Sequence, residues 1–293
     1  MSKNDQIDRK LGIVFFISIS IFVFQILGGI ISYSLALIAD SFHLLIDFSA
    51  IAITLLAFRI ARRPHSPNLT FGFHRAEVMA AFINGMLLLV MSGIILHESY
   101  HRFLQPHDID IPILLAFAST GLAANIIMVL ILKTESKTNL NVRGSYLHVL
   151  GDLISSIGVI VGALIMLFSN FFIADTIISL GIAILIAHSG IRLCKNCIHI
   201  FMEGTPEKIR LDTIRQELES FDEIIEIHDL HLWTLTSNLY AMSVHVKVKV
   251  AAIHNINELL KRINQAIRVK CGITHCTIQV ENEQDLIRPD RTE

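Results

Sequence analysis

Long, uninterrupted runs of apolar residues alternate with short polar segments along the first two thirds of the chain. An α-helix needs about 20 mostly apolar residues to cross the hydrocarbon core of a bilayer. Spans 1 and 2, and likewise spans 5 and 6, are joined by very short connections, which predicts two helical hairpins. The six runs that reach spanning length are Leu11–Ser32, Leu35–Ile60, Glu77–His97, Ile111–Leu132, Ser145–Phe168 and Phe171–Ile191.

The pattern changes from Gly204 onwards, where short amphipathic and alternating segments replace the apolar runs. Thr205 is a suitable helix N-cap and Pro206 a suitable first helical residue, which predicts a helix from there to about Ser220. The later elements complete the order α-β-β-α-β, typical of a small α+β domain with a helix-covered three-stranded sheet. These predicted elements are strands at Ile224–Thr236 and Leu239–Val250, a helix at Ile256–Val269 and a strand at Ile273–Glu281.

The pattern therefore divides the chain into three parts: a six-span α-helical membrane domain at 1–203, an α+β cytoplasmic domain at 204–285 and a disordered tail at 286–293. Composition agrees, because 53% hydrophobic residues, 17% charged residues and a mean hydropathy of +0.58 are too apolar for a soluble protein of this length. A formal net charge of −2 gives no indication of nucleic-acid binding.

Basic residues lie almost entirely on one side of the predicted spans. They cluster at the N-terminus and after spans 2, 4 and 6, whereas the opposite side has only Arg102. The positive-inside rule therefore predicts cytoplasmic N- and C-termini. The first apolar run is too long for a signal peptide and reads as an uncleaved span. The short loops suggest a prokaryotic inner membrane, and the cysteines at 194, 197, 271 and 276 are expected on its reducing side, without disulfides.

Two histidine–aspartate pairs lie inside predicted spans 2 and 5. His43 and Asp47, like His148 and Asp152, are four residues apart and so share one helix face. Ionisable residues within a membrane are costly and mark functional sites. If the pairs face each other, two neutral nitrogens and two anionic oxygens form a tetrahedral ligand set for Zn²⁺, although each pair could instead satisfy polar neighbours in the bundle.

The segment from His97 to His101 matches the H-E-x-x-H pattern of zinc proteases. In those enzymes two histidines bind zinc, the glutamate activates water, and a third protein ligand completes the site. No third ligand is apparent, and the motif falls where span 3 reaches the outer surface. We therefore interpret His97, Glu98 and His101 as a polar helix end, with an intramembrane metalloprotease as the alternative.

Other polar residues in the spans have simpler interpretations. Asp40 is expected to cap the start of the second helix, or to belong to the ion pathway. Asn84 and Asn125 are expected to join helices by hydrogen bonds. Asp175, near the start of span 6, is expected to favour the dipole of its own helix.

Three weaker candidates for metal ligands lie towards the cytoplasmic side. His65 and His74 in the loop between spans 2 and 3 could bind metal at the pathway entrance, or belong to an ordinary polar cluster. Cys194 and Cys197, with His199 nearby, form half of a possible zinc site. Without a second pair of ligands, the cysteines are more simply explained by packing.

In the cytoplasmic domain, His228, His245 and Glu281 form a possible surface metal site, with solvated histidines as the alternative. Strand alternation places His228 and Asp229 on opposite faces, and Gln279 and Glu281 on the same face. The same rule therefore leaves Asp229 out of the site.

Several motifs in the right order resemble the cation diffusion facilitator family of divalent-metal transporters over nearly the whole chain. They are Ala39-Asp40-Ser41 with His43-x-x-x-Asp47, Phe71-Gly72-Phe73-His74-Arg75-Ala76-Glu77, His148 with Gly151-Asp152, Glu203-Gly204-Thr205-Pro206, and His228-Asp229-Leu230-His231-Leu232-Trp233.

The resemblance implies a homodimer, a ferredoxin-like cytoplasmic domain that senses metal or forms the dimer, and export of Zn²⁺ or similar ions against inward proton flow. His43, Asp47, His148 and Asp152 match the family's transport site. Some members have Asp in place of His43, and the His–Asp set is associated with preference for zinc over cadmium. Other members have His at the positions of Leu69 and Phe73, and one bacterial pattern has His in place of Gln279.

The expected function is proton-coupled export of a divalent metal by alternating access, without an enzymatic activity or a resident cofactor. Zn²⁺ is the expected cargo, with Cd²⁺, Co²⁺ and Fe²⁺ as alternatives and protons as the counter-ion. A metal-gated channel without proton coupling and the metalloprotease are the competing functions.

Overall fold

The computed structural model describes residues 3–64, 66–105, 107–133, 140–236 and 239–282. The predicted tail, His65 and the turn at 237–238 lie outside these residues. The elements are α1 (Lys3–Ser32), α2 (Leu35–Ala61), α3 (Ala76–Leu104), α4 (Ile111–Lys133), α5 (Leu140–Ser169), α6 (Ile173–Phe201), α7 (Leu211–Glu219), β1 (Ile224–Thr236), β2 (Leu239–Val248), α8 (Ile256–Cys271) and β3 (His275–Asn282), with a 3₁₀ turn at Val250–Asn255.

The described residues form two compact units, one from 1–55 and 80–194, the other from 56–79 and 195–293. The boundaries between these units fall inside α2, α3 and α6. The predicted boundary between residues 203 and 204 instead divides the chain at a single point, and it stays a prediction. Each unit has its own apolar core.

Six helices of the described chain are long and apolar enough to cross a membrane, which confirms the number of predicted spans. α3 and α6 continue past the predicted ends, to Leu104 and Phe201. An apolar run ends where polar residues begin. A helix can extend beyond that point, because it continues for as long as its backbone hydrogen bonds are formed. The tight connections after α1 and α5 produce the two expected hairpins.

The start of α2 is capped by a carboxylate from another helix. Asp175 of α6 is buried and accepts hydrogen bonds from Ser34 Oγ at 2.5 Å, from the Leu35 amide at 2.7 Å and from the Ala36 amide at 3.3 Å. Ser34 Oγ also accepts from the Leu37 amide at 3.2 Å. The first turn of a helix has amide groups without intrahelical partners, and an anion there also favours the helix dipole.

This arrangement corrects two sequence expectations. Asp175 serves the dipole and free amides of α2 rather than only those of its own helix. Asp40 does not cap α2, because that helix already begins at Leu35 and Asp40 lies in its second turn. The expected role of Asn125 is confirmed, since its Nδ2 donates to Ser156 Oγ at 2.9 Å and joins α4 to α5.

The second unit contains a three-stranded sheet in the order β1-β2-β3. β1 pairs antiparallel with β2, and β2 pairs parallel with β3. α7 and α8 cover one face through a core that includes Ile214, Val244, Val246, Ile263 and Ile267, all fully buried. The other face carries the histidines at 228 and 245, two of the predicted cytoplasmic metal ligands.

The predicted helix start at Thr205 is wrong, because α7 begins only at Leu211. Residues around Gly204 make other contacts: the Gly204 amide donates to His199 O at 2.8 Å, and the Thr234 amide donates to Gly204 O at 3.3 Å. Glu203 has a φ of 60°. These bonds hold the segment between the end of α6 and strand β1, so Thr205 and Pro206 are not free to start a helix.

Candidate metal sites

The structure brings the two helices with the predicted pairs together. One ligand atom from each of His43, Asp47 and Asp152 lies within 4.8 Å of the other two. His43 Nδ1 and Asp47 Oδ2 are 3.9 Å apart on α2, with side chains 30% and 25% exposed, while Asp152 of α5 is buried. Zinc bonded at about 2.1 Å needs ligands about 3.4 Å apart, so a small inward movement completes the geometry.

The side chain of His148, the fourth predicted ligand, lies outside the described part of the chain. Its backbone is in α5, four residues before Asp152. Residues at this spacing share one helix face, so the backbone is consistent with the predicted four-residue set.

Asp40, in α2 one turn before His43, links three helices of the same unit. Its Oδ1 accepts from Ser155 Oγ of α5 at 2.6 Å, and its Oδ2 accepts from Gln25 Nε2 of α1 at 3.1 Å. Asp40 is 5% exposed. Ser155 lies three residues after Asp152, so one buried carboxylate connects the two ligand helices next to the candidate site. Sequence reasoning did not detect this role, because the partners are distant along the chain.

We expect the Asp40→Ala variant to bind zinc about tenfold more weakly, since groups that orient metal ligands are worth about this much. Asp40→Asn should retain most of the affinity. Its oxygen can accept from Ser155 and its amide can donate to Gln25 Oε1, which has no hydrogen-bond partner among the described residues. Zinc titration of the purified variants measures both effects. Equal losses in the two variants would show that the charge of Asp40, not its hydrogen bonding, is required.

The cytoplasmic candidate site also comes together. Ligand atoms of His228, His245 and Glu281 lie within 4.8 Å of one another. Glu281 Oε2 is 3.2 Å from His228 Nε2, and Glu281 Oε1 is 3.0 Å from His245 Nδ1. Gln279 is on the same face, as predicted, and its Nε2 donates to Glu281 Oε1 at 3.0 Å. The glutamate therefore bridges two strands that bring the histidines side by side.

A β-bulge places Asp229 beside this cluster and overturns the expectation from strict alternation. The β1–β2 register is irregular between His228 and His231, and Asp229 has a φ of 53°. Its Oδ2 is 3.7 Å from His245 Nε2, and its Oδ1 is 3.0 Å from His231 Nε2. A bulge turns one side chain towards the opposite face, so Asp229 lies beside His245, at the ring nitrogen that does not face Glu281.

The cysteines do not join a three-ligand cluster among the described residues. Cys194 is buried against α3, where a Cβ on Gly85 would lie 2.7 Å from its Sγ, which supports packing as its role. Burial raises the pKa of the Cys276 thiol to about 11, and burial followed by the nearby Glu217 raises the pKa of Cys271. Both thiols are therefore protonated at neutral pH.

Within the second unit, the loop before α3 and the first turn of α3 contact the three-stranded sheet. Phe71 lies edge-on to His275 with ring centroids 5.9 Å apart, and Thr236 Oγ1 donates to Glu77 Oε2 at 2.7 Å. His74 lines a cavity of about 490 Å³ together with Arg62 and Arg63 and belongs to no three-ligand cluster in the described chain. The loop therefore has a clear structural role, while His65 lies outside the described residues.

In the H-E-x-x-H motif, His97 and His101 are exposed on α3 with ring centroids 4.5 Å apart. Glu98 Oε1 instead accepts from Arg102 Nε at 2.9 Å. No third ligand joins the histidines among the residues described. The paired glutamate and the missing ligand both disfavour the protease arrangement.

Comparison with known families agrees with this architecture. The family of cation efflux transmembrane domains matches residues 11–202, and that of the cytoplasmic domain of cation efflux proteins matches residues 206–283. The chain belongs to the cation diffusion facilitator family. The family assignment confirms the resemblance from the motifs and supports the predicted ferredoxin-like fold of the cytoplasmic part.

Curated relatives of this cation diffusion facilitator match it almost from end to end. A cadmium, cobalt and zinc/H(+)-K(+) antiporter of Bacillus subtilis (strain 168) is 37% identical over 96% of this chain and 91% of its own length. The metal cation efflux system protein CzcD of Cupriavidus metallidurans is 35% identical over 94% and 86%, and the zinc transporter ZitB of Yersinia pestis is 36% identical over 95% and 89%. The chain is therefore a multi-pass membrane protein of a metal-transporter family.

Proposed function

We propose that this protein exports divalent metal, with Zn²⁺ as the principal ion, from the cytoplasm in exchange for protons. The observation that carries the proposal is the convergence of His43, Asp47 and Asp152 ligand atoms within 4.8 Å on two membrane-spanning helices. His148, four residues before Asp152, supplies the fourth ligand. The names of relatives that carry zinc, cadmium and cobalt support divalent-metal efflux as the general activity.

The chemistry of these ligands explains why metal and protons compete. Zinc requires neutral imidazoles and ionised carboxylates, and two carboxylates cancel its charge in a low-dielectric site. Without metal, the same carboxylates can bind protons, which relieves the repulsion between their charges.

Alternating access converts this competition into transport. When the bundle opens inward, cytoplasmic Zn²⁺ displaces protons, and when it opens outward, external protons displace Zn²⁺. The Asp40 hydrogen bonds keep α2 and α5 connected beside the site. The mixed His–Asp ligand set supports zinc, while Cd²⁺, Co²⁺ and Fe²⁺ remain alternative cargoes because nitrogen and oxygen ligands also accept them.

The proposed assembly is a homodimer in a bacterial plasma membrane with both termini in the cytoplasm. The asymmetry of basic residues supports the orientation, and the bacterial sources of the relatives support the membrane. The match to the cytoplasmic domain family supports the dimer. In that domain, His228, His245 and Glu281 bind a regulatory metal ion that stabilises the dimer, and Asp229 lies beside His245.

Zinc uptake into proteoliposomes under an imposed pH gradient tests the transport mechanism. We expect fast uptake when protons can leave the vesicle in exchange for zinc, and slow uptake when an ionophore collapses the gradient. Protein-free vesicles control for leakage. Uptake indifferent to the gradient would favour a metal-gated channel. Peptide hydrolysis lost only in Glu98→Gln, with no zinc uptake in any variant, would favour the protease.

The cytoplasmic site has its own expected result. His245→Ala should remove one bound zinc ion per chain and the stabilisation of the dimer by zinc, because it deletes a ligand that contacts both Glu281 and Asp229. Equilibrium dialysis and zinc-dependent thermal melting measure these changes. His254→Ala, an exposed histidine in the 3₁₀ turn, should leave both unchanged. The same loss in both variants would refute the site.

A further inference from the structure

The two histidines of the H-E-x-x-H motif remain unexplained by the transport site. His97 and His101 lie in the last turns of α3, within the first unit. Both side chains are exposed, and their rings meet edge to face with centroids 4.5 Å apart. The transport ligands lie on α2 and α5, so these histidines belong to a different surface.

Neighbouring charges leave the imidazole pair accessible to a cation. Arg102 is the adjacent cation, but its Nε donates to Glu98 at 2.9 Å and its Nη1 donates to Tyr33 O at 2.5 Å. The ion pair with Glu98 compensates the arginine charge, and the bond to Tyr33 directs the guanidinium towards the α1–α2 turn. The ion pair disfavours Glu98 as a water-activating base, and neither histidine takes part in these contacts.

Zinc enzymes bind metal through two imidazole nitrogens from histidines that are four residues apart on a helix. His97 and His101 have this spacing. Zinc–nitrogen bonds of about 2.1 Å need the two nitrogens about 3.4 Å apart, which side-chain rotation allows from a centroid distance of 4.5 Å. Two protein ligands leave the remaining positions to water. Such a site binds reversibly and prefers Cu²⁺ among divalent ions of the first transition row.

We propose that His97 and His101 form a surface site for a transition-metal dication, with water completing the coordination. The ligand class is a borderline ion such as Zn²⁺, Ni²⁺ or Cu²⁺. The position of the site on the releasing face rests on the proposed function, in which this end of α3 is the non-cytoplasmic end. There the pair retains an exported ion at the surface of the protein.

Copper binding by the full-length purified protein tests the site without relying on transport. We expect wild-type protein to bind one more Cu²⁺ per chain than the His97→Ala/His101→Ala double variant, with electron paramagnetic resonance showing two nitrogen ligands for that ion. Each single variant should weaken its binding at least about tenfold, because a single imidazole cannot chelate.

A control separates this site from other histidines. His107→Ala, which replaces an exposed histidine in the loop after α3, should leave the copper count unchanged. Equal copper counts in the wild type and the double variant, or an equal loss in His107→Ala, would overturn the proposal. If the wild-type protein binds copper at this site but transports no zinc, the proposed transporter function is refuted, whereas the surface site is not.

Discussion

Asp152→Ala is expected to weaken zinc binding at the transport site by at least about a hundredfold and to abolish gradient-driven zinc uptake. The substitution removes a buried anionic ligand, and losses of even indirect metal contacts reach a hundredfold. It also leaves the divalent charge incompletely compensated in a low-dielectric region. Zinc titration and proteoliposome uptake on the same preparation separate lost binding from lost movement.

Asp108→Ala provides the matched control, because Asp108 is an exposed aspartate in the loop before α4. It should bind and transport zinc like the wild type. Full zinc uptake by the Asp152→Ala variant would refute the assignment of the transport site. Asp47→Ala should reproduce the loss, since both carboxylates belong to the same cluster.

Asp175→Ala is expected to destabilise the folded protein by about 3 kcal/mol or more. The substitution leaves the Ser34 hydroxyl and the Leu35 and Ala36 amides without their buried acceptor, and each such loss costs about 1–3 kcal/mol. It also removes a negative charge from the N-terminal end of α2. Unfolding in mixed detergent micelles, followed by circular dichroism, measures the change.

The exposed helix cap Asp110 is the control for this effect. Asp110 Oδ1 accepts from the Ile113 amide at 3.1 Å at the start of α4, and water can replace it. Asp110→Ala should therefore cost only about 1 kcal/mol. Equal destabilisation by the two substitutions would contradict the special role of the buried cap, while Asp175→Asn should be intermediate because an amide oxygen still accepts.

Local patterns were sufficient for features that depend on neighbours along the chain. The six spans follow from apolar length, and the histidine–aspartate faces follow from the helical period at His43–Asp47. The same reasoning failed for Asp175 and Asp40, whose partners are about 140 and 115 residues away. A composition window cannot show which distant donor a buried carboxylate meets.

Backbone irregularities were the second kind of failure. Alternation assumed an uninterrupted β1, but the positive φ of Asp229 turns its carboxylate towards His245. The capping rule predicted that a helix begins at Thr205. Backbone hydrogen bonds join Gly204 to the end of α6 and to β1, and α7 begins only at Leu211. At Gly204 tertiary hydrogen bonds outweighed a correct local preference, and at Asp229 a β-bulge interrupted the alternation.

The sequence by itself determined that this chain spans a membrane six times, ends in a helix-covered sheet and carries two histidine–aspartate pairs at helical spacing. These properties depend on the length of the apolar runs and on the spacing of polar and apolar residues, both of which are determined by residues close together along the chain. Only the tertiary structure decided that Asp152 meets His43 and Asp47, that Asp229 lies beside His245, and that Asp175 caps α2. Those contacts join residues far apart in sequence, and packing alone determines which distant polar groups satisfy one another.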